Sequence, residues 1–189
     1  MDSEKLSKLE AMRHSASHIL AQAVLKLYPD TKLGIGPAIE NGFYYDFDFA
    51  EPIEEEDLPA IEEEMKKIIN QELDFNKITM TREEAVEYFK KTDQIYKLEL
   101  LDELEDDTFS FYVTGDNEFA DLCRGPHVEN TKDVGVIKLT KTAGAYWRGD
   151  ETKKMLTRIY GTSFETKEEL NKAFDDLKKG TFIQDKISY

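Results

Sequence analysis

This 189-residue chain has one cysteine, three histidines, one tryptophan and five prolines. A lone cysteine, Cys123, cannot close an internal disulfide, so a reducing, cytoplasmic setting is expected. No stretch approaches the ~20 consecutive apolar residues of a membrane-spanning helix, and no membrane partner is expected. The opening residues, Met1-Asp2-Ser3-Glu4-Lys5, are polar and do not read as a signal peptide. Internal repeats and low-complexity tracts are absent. Basic residues are also scarce: 25 Lys and Arg stand against 40 Asp and Glu, a net charge of −15. That balance argues against nucleic acid as the dominant partner, because phosphates are held mainly by Lys and Arg.

The charge is uneven. Residues 121–160 carry eight Lys/Arg and five Asp/Glu, a net of +3, so the other 149 residues carry −18. The segment with Cys123 thus leaves room for local contact with a polyanion. The acidic run 51–64 reads as a solvated helix face. Hydrophobic residues make up 40%, with eleven Phe and nine Tyr, enough core for one domain of ordinary size.

Residues 4–28 read as a long helix with Ser3 as N-cap and apolar residues at three- and four-residue steps. The small residues Ser15, Ala16, Ser17, Ala21 and Ala23 admit close backbone approach. Asn41-Gly42 between two apolar runs predicts a hairpin. In the strand that follows, Phe43, Tyr45, Phe47 and Phe49 alternate with Tyr44, Asp46 and Asp48, so the aromatic set faces the core. An acidic amphipathic helix is expected over 55–73, a strand over 76–80, and a helix from the capping-box start Thr81-Arg82-Glu83-Glu84 through Phe89. A short helix near 93–104 includes Lys97. Strands are expected at 109–113, 119–123, 134–140, 145–148 and 154–162, and a last helix from Glu165 to near Gly180. Strands that follow one another without regular crossover helices predict an α+β fold, a mostly antiparallel sheet with the long first helix packed on one face.

His14 and His18 stand four apart, which places both imidazoles on one helix face. Cys123 and His127, the only other residues of either type, stand four apart as well. Folding is expected to join the pairs in one polar site. As a metal set, three nitrogens and a thiolate suit zinc. The same residues also make an acid/base set, in which a histidine or a histidine-held water acts as general base on an ester carbonyl. A third reading makes Cys123 a nucleophile, with a histidine as base and Asp121 as orienter. Lys97 is a candidate to stabilise developing negative charge; its plainer alternative is an ordinary exposed lysine. Asp121, two residues before Cys123, would point to the same side of a strand and could bind a substrate ammonium; otherwise it is a surface acid. The stretch 141–150 combines Gly144 with Tyr146, Trp147 and Arg148. It reads either as a base-stacking element or as a core tryptophan beside a turn.

His14-Ser15-Ala16-Ser17-His18, Gly34-Ile35-Gly36-Pro37, Asn41-Gly42-Phe43-Tyr44-Tyr45-Asp46, Asp121-Leu122-Cys123-Arg124-Gly125-Pro126-His127, Thr142–Asp150 and Arg158-Ile159-Tyr160-Gly161-Thr162 closely resemble the editing domain of bacterial-type threonyl-tRNA synthetases. The likeness runs from about residue 5 to 180. It implies hydrolysis of serine wrongly esterified to threonine tRNA. Serine differs from threonine by one methyl, worth only ~1–3 kcal/mol in a pocket, so a second, hydrolytic sieve is needed. The family's site residues fall on His14, His18, Lys97, Asp121, Cys123 and His127, with Tyr45 near the substrate. The resemblance implies a metal-free site, although related alanyl editing proteins bind zinc with this pattern. It implies as partners the acceptor end of tRNA(Thr) charged with serine and the remaining domains of a parent synthetase, including an ATP-using aminoacylation core. Residues 1–180 would be the editing domain and 181–189 the start of a linker toward that core; ligase activity is not expected of the chain itself. Two alternatives are a free-standing alanyl-type zinc-dependent deacylase and a zinc-stabilised binding module without catalysis.

Overall fold

The computed structural model describes residues 3–178. Its spine is helix α1, Ser3–Leu27, and the second half of α1 is buried on almost every side. A helix covered all round needs no strong apolar stripe, only apolar and small residues throughout. Ala16, Ala21 and Ala23 are fully buried, as are Ser15 and Ser17. Helix α2 (Leu58–Asn70) packs along α1 through Ile61, Met65 and Ile68.

The other side of α1 meets a five-stranded antiparallel sheet built from β1 (Lys32–Leu33), β2 (Ala38–Ile39), β3 (Gly42–Asp48), β7 (Val136–Tyr146) and β8 (Met155–Phe164). Its order is β1-β3-β8-β7, with β2 also on β3. The Asn41-Gly42 hairpin forms as expected, pairing Ile39 with Gly42. The alternation in β3 holds too: Phe43, Tyr45 and Phe47 are fully buried and pack with α1. Arg13 ties α1 to this sheet, donating to the carbonyls of Glu40 (2.6 Å) and Ser163 (3.3 Å). Strand β7 lies at the sheet edge, where Glu62 of α2 accepts from the Leu139 N–H at 3.0 Å.

A second, three-stranded antiparallel sheet comprises β4 (Phe75–Thr81), β5 (Thr108–Thr114) and β6 (Phe119–Leu122). Helices α3 (Arg82–Lys91) and α4 (Ile95–Glu103) belong to it, and Phe89, Leu101, Phe109 and Phe111 form its core. Thr81 and Glu84 make the expected capping box at the start of α3. The expected strands thus divide into two sheets. The last described helix, α5, is Lys167–Lys178. Gly180 and the linker expected at 181–189 lie outside the described residues.

Two expectations change. The strands expected at 134–140 and 145–148 are one strand, β7, paired with β8 from Val136 through Tyr146 across an irregularity at Leu139/Lys141. Gly144 does not break it, because its backbone pairs with Thr157. Trp147 then begins a short 3₁₀ turn and is buried against Tyr96 and Leu156, so it is a core residue and not a stacking platform. No helix among the described residues is long and apolar enough to cross a membrane.

Candidate active site

Three elements meet at one cleft. Helix α1 supplies His14 and His18, α4 supplies Lys97, and the turn after β6 supplies Cys123 and His127. The cleft, about 310 Å³, is walled by His14, His18, Lys97, Asp121 and Cys123 together with Gly36, Pro37 and Arg124, among others. His127 and Tyr45 stand behind this wall. The two pairs recognised in the sequence do converge: one ligand atom from each of His14, His18, Cys123 and His127 lies within 4.8 Å of the others.

Close approach of the turn to α1 rests on Ser15. Its small side chain accepts from the Val128 N–H at 3.0 Å and meets His127 Nδ1 at 2.9 Å. The turn is shaped by Gly125 in the left-handed region (φ +82°), where an added Cβ would stand 2.6 Å from the Tyr112 hydroxyl. His127 stacks on His14, with centroids 4.3 Å apart, and Tyr112 lies tilted against it at 4.2 Å. His18 is 2% exposed and meets Phe119 edge-on.

Proton positions follow from the partners. The Pro126 carbonyl can only accept, so His14 Nδ1, 3.2 Å away, carries the hydrogen and donates. His14 Nε2 then presents a lone pair to the Cys123 thiol at 3.2 Å. The sulfur in turn accepts from the Gly125 N–H (3.1 Å) and faces His127 Nε2 at 3.1 Å. Since Ser15 accepts from Val128, its own hydrogen is available to His127 Nδ1, which places the His127 hydrogen on Nε2, toward the sulfur. One directed chain thus runs from Ser15 through His127 and Cys123 to His14. His18 Nδ1 is buried without a partner.

The electrostatics agree. Burial pushes the His14 imidazole below the usual histidine range, against the Pro126 carbonyl, which favours the charged form. Burial lowers His18 further, aided by His14 and Lys97. His127 is also lowered, by burial and then by the two other imidazoles. All three are neutral at pH 7. Burial raises the Cys123 thiol to about 11, only partly offset by the Gly125 N–H, so the sulfur is protonated. A thiol held in that form is a poor nucleophile.

Beside the cluster sits a buried ion pair. Lys97 Nζ lies 2.7 Å from Asp121 Oδ1, and both side chains are 3% exposed. Neither plain alternative from the sequence, an exposed lysine and a surface acid, describes these residues. Asp121 also accepts from its neighbour's N–H, Leu122, at 2.8 Å and from the Tyr45 hydroxyl. A carboxylate offers about four lone-pair sites, so roughly one remains for a ligand donor. Tyr45 is fully buried and touches the cleft wall through Asp121 and through Lys97, whose Nζ lies 5.3 Å from its ring centroid. Gly36 allows this: an added Cβ would stand 2.0 Å from the Tyr45 ring.

The four-residue cluster could hold a metal. Three imidazole nitrogens and one thiolate are a zinc-type donor set, and the unpartnered His18 nitrogen is consistent with a ligand role. The sulfur–nitrogen separations of 3.1 and 3.2 Å are somewhat shorter than the about 3.5 Å across a tetrahedral zinc site, so only a small expansion is needed. No cofactor is established.

Sequence reasoning overlooked Ser15 as a hydrogen-bonding member of the site, and the backbone groups of Gly125 and Pro126. Ser15 did carry a signal, as a small polar residue beside His14 on a helix with no room for larger ones.

Comparison with known proteins places this geometry. Residues 110–160, which include Asp121, Cys123 and His127, match the family described as the second additional domain of threonyl and alanyl tRNA synthetases. Over 163 residues the chain is 57% identical to a threonine–tRNA ligase of Acetivibrio thermocellus, covering 86% of this chain and 25% of the relative. A Clostridium novyi threonine–tRNA ligase is 54% identical over 171 residues, 90% of this chain and 26% of the relative. One from Dehalococcoides mccartyi is 49% identical over 178 residues, 94% of this chain and 30% of the relative. The chain spans about a quarter of the length of the curated relatives it matches. With the synthetase domain matched through the Cys-His turn and about half of all residues shared with threonine–tRNA ligases, the chain belongs to the threonyl-tRNA synthetase family, in the region of the editing domain.

Proposed function

We propose that this chain hydrolyses the ester of serine mischarged onto threonine tRNA, working as the editing domain of a threonyl-tRNA synthetase over residues 1–180. The observation that carries the reading is the meeting of three neutral imidazoles with a buried, paired ammonium at one cleft. Neutral imidazoles supply a base at physiological pH, and an ammonium in a poorly hydrated wall stabilises developing negative charge.

In this mechanism His14 is the base. It walls the cleft, and the Pro126 carbonyl holds its hydrogen on Nδ1, which leaves Nε2 as the acceptor; the weak Cys123 S–H donor it meets at 3.2 Å gives way to the attacking water. A water attacks the ester carbonyl carbon as its proton moves to His14 Nε2. The tetrahedral oxyanion forms beside Lys97. Collapse breaks the bond to the ribose oxygen, which takes back a proton from the imidazolium or the adjacent ribose hydroxyl, and serine leaves as the free acid. Asp121 keeps Lys97 in place and offers its remaining lone pair to the serine ammonium. Threonine, one methyl larger, is charged correctly and must be spared. The acceptor end of the tRNA and the other domains of a parent enzyme are the partners this requires, and the ligase reaction belongs to those domains.

A zinc ion, if bound, would be held by His14, His18, Cys123 and His127 and would supply Lewis-acid chemistry. Four protein ligands close a tetrahedral site, which is the pattern of structural zinc. That is the basis of the second reading, a zinc-stabilised binding module. Hydrolysis of seryl- and threonyl-tRNA, followed with and without chelator, separates the two. The expected result is faster loss of the seryl ester, insensitive to chelation, with kcat reduced about 10²–10⁴-fold in His14→Ala. Equal loss of both esters, or an undiminished rate in the variant, would sink the editing reading.

A further inference from the structure

Two cations wall the cleft, and they differ in every respect. Lys97 is buried and bound to Asp121. Arg124 is exposed, and among the described residues it has no hydrogen-bond acceptor and no ion-pair partner. The other four arginines all have acceptors: Arg13 and Arg82 bond to backbone carbonyls, and Arg148 and Arg158 to carboxylates. Other cations near this part of the fold are taken: Arg158 by Asp46, Lys154 by Asp48, Arg148 by Glu103.

The position of Arg124 is fixed by its neighbours. Cys123 before it bonds through its N–H to Ser110 O at 3.0 Å, and Gly125 after it is anchored to the Cys123 sulfur. A second cation without an ion-pair partner among the described residues, Lys77 on β4, is exposed and lies near enough for its charge to act on Cys123. Arg124 on the cleft wall thus has a second positive charge nearby, although the chain as a whole is strongly negative.

We propose that Arg124 is a phosphate clamp, holding a phosphodiester of the single-stranded 3′ end whose ester is cut in the cleft, with Lys77 adding to the field. The proposal rests on the editing reading for its substrate and adds how the RNA backbone is held. An arginine fork matches two phosphate oxygens at once, and phosphate contacts set register without reading sequence. One such contact per molecule also reconciles an acidic protein with a polyanionic substrate, because the remaining affinity can come from elsewhere.

The test uses the 189-residue chain and two seryl esters: one on an acceptor-end RNA oligonucleotide, the other on adenosine, which has no phosphate. Arg124→Ala should lower kcat/KM for the RNA ester about tenfold more than for the nucleoside ester. The log–log salt slope for the RNA should become shallower by about 0.7, the value for one phosphate contact on a single strand. Arg124→Lys should keep the salt slope and recover part of the loss. Equal losses on both esters, or an unchanged salt slope, would overturn the clamp. Binding of an uncharged CCA-ended oligonucleotide is measured in parallel, so the clamp is judged even if neither ester is hydrolysed. In that case the editing reading fails, and the clamp stands or falls on whether Arg124→Ala weakens binding and flattens its salt dependence.

Discussion

The buried pair of Lys97 and Asp121 makes the sharpest stability prediction. Both side chains are 3% exposed and 2.7 Å apart. In Asp121→Asn the shape is kept, the Leu122 N–H and the Tyr45 hydroxyl retain a polar partner, and only the counter-charge is lost. Lys97 is then an ammonium in a dry wall facing a neutral amide. Leaving one member of a buried pair uncompensated costs about 3–5 kcal/mol. With an m-value of about 2 kcal/mol/M in urea, the midpoint should fall by roughly 1.5–2.5 M.

Lys97→Met should cost less, because Asp121 keeps two hydrogen-bond donors, Tyr45 and Leu122, that favour its charge. The double variant should lie within about 1 kcal/mol of the parent, since replacing a whole buried pair is close to neutral. The order is therefore Asp121→Asn worst, Lys97→Met intermediate, the double variant mildest. Trp147, buried beside Tyr96, supplies the fluorescence signal. An Asp121→Asn cost below 1 kcal/mol, or a double variant as unstable as the sum of the singles, would show that the pair is not desolvated as described.

Four further outcomes follow from the cluster. The folded-state histidine values are lowered, so folding favours the neutral forms; their contribution is complete above about pH 6.5 and lost as pH falls below it. Urea stability in chelator should be flat from pH 8 to 7 and drop below 6.5 by about 1.4 kcal/mol per pH unit for each histidine still neutral when folded, whereas a flat profile to pH 5 would contradict it. By the same sign, the seryl-ester rate should hold its plateau below pH 6.5, where a base with an ordinary histidine value would already be failing. Cys123→Ala should lower that rate by less than about tenfold, since His14 keeps its anchor at Pro126, and a loss beyond 10³ would revive covalent catalysis by sulfur. Zinc titrated into metal-free protein at pH 7 should release about one proton per ion, from the thiol held near 11, because the imidazoles have none to lose. It should also inhibit, by taking the His14 lone pair, and acceleration by zinc would count against a metal-free mechanism.

Much of the fold could be read because local signals were strong. Asn41-Gly42 admits few conformations other than a turn, Thr81 and Glu84 form a reciprocal cap, and the β3 aromatics alternate cleanly. The misread region, 141–150, had a glycine where the sequence suggested a break. In the structure Gly144 is paired throughout, and the chain turns only after Tyr146. Cross-strand pairing decided that, and it is not a local property. The split into two sheets escaped notice for the same reason: which strands pair is set by packing across the whole chain.

The site divides along the same line. His14/His18 and Cys123/His127 were visible because rare residues at equal spacing are conspicuous. Lys97 and Asp121 were candidates beside plainer alternatives, and the family resemblance rather than the residues themselves favoured them, since one lysine among 25 basic residues carries no mark of burial. Their roles depend on a dry environment that only the assembled elements create: Lys97 of α4 meets Asp121 of β6, and Gly36 leaves room for the Tyr45 ring, whose hydroxyl donates to Asp121. Burial is also what makes the imidazoles neutral and the thiol inert. The residue types needed for ester hydrolysis are thus written in the chain, while the protonation states that would let them act come from the packing of α1 against the turn at Gly125.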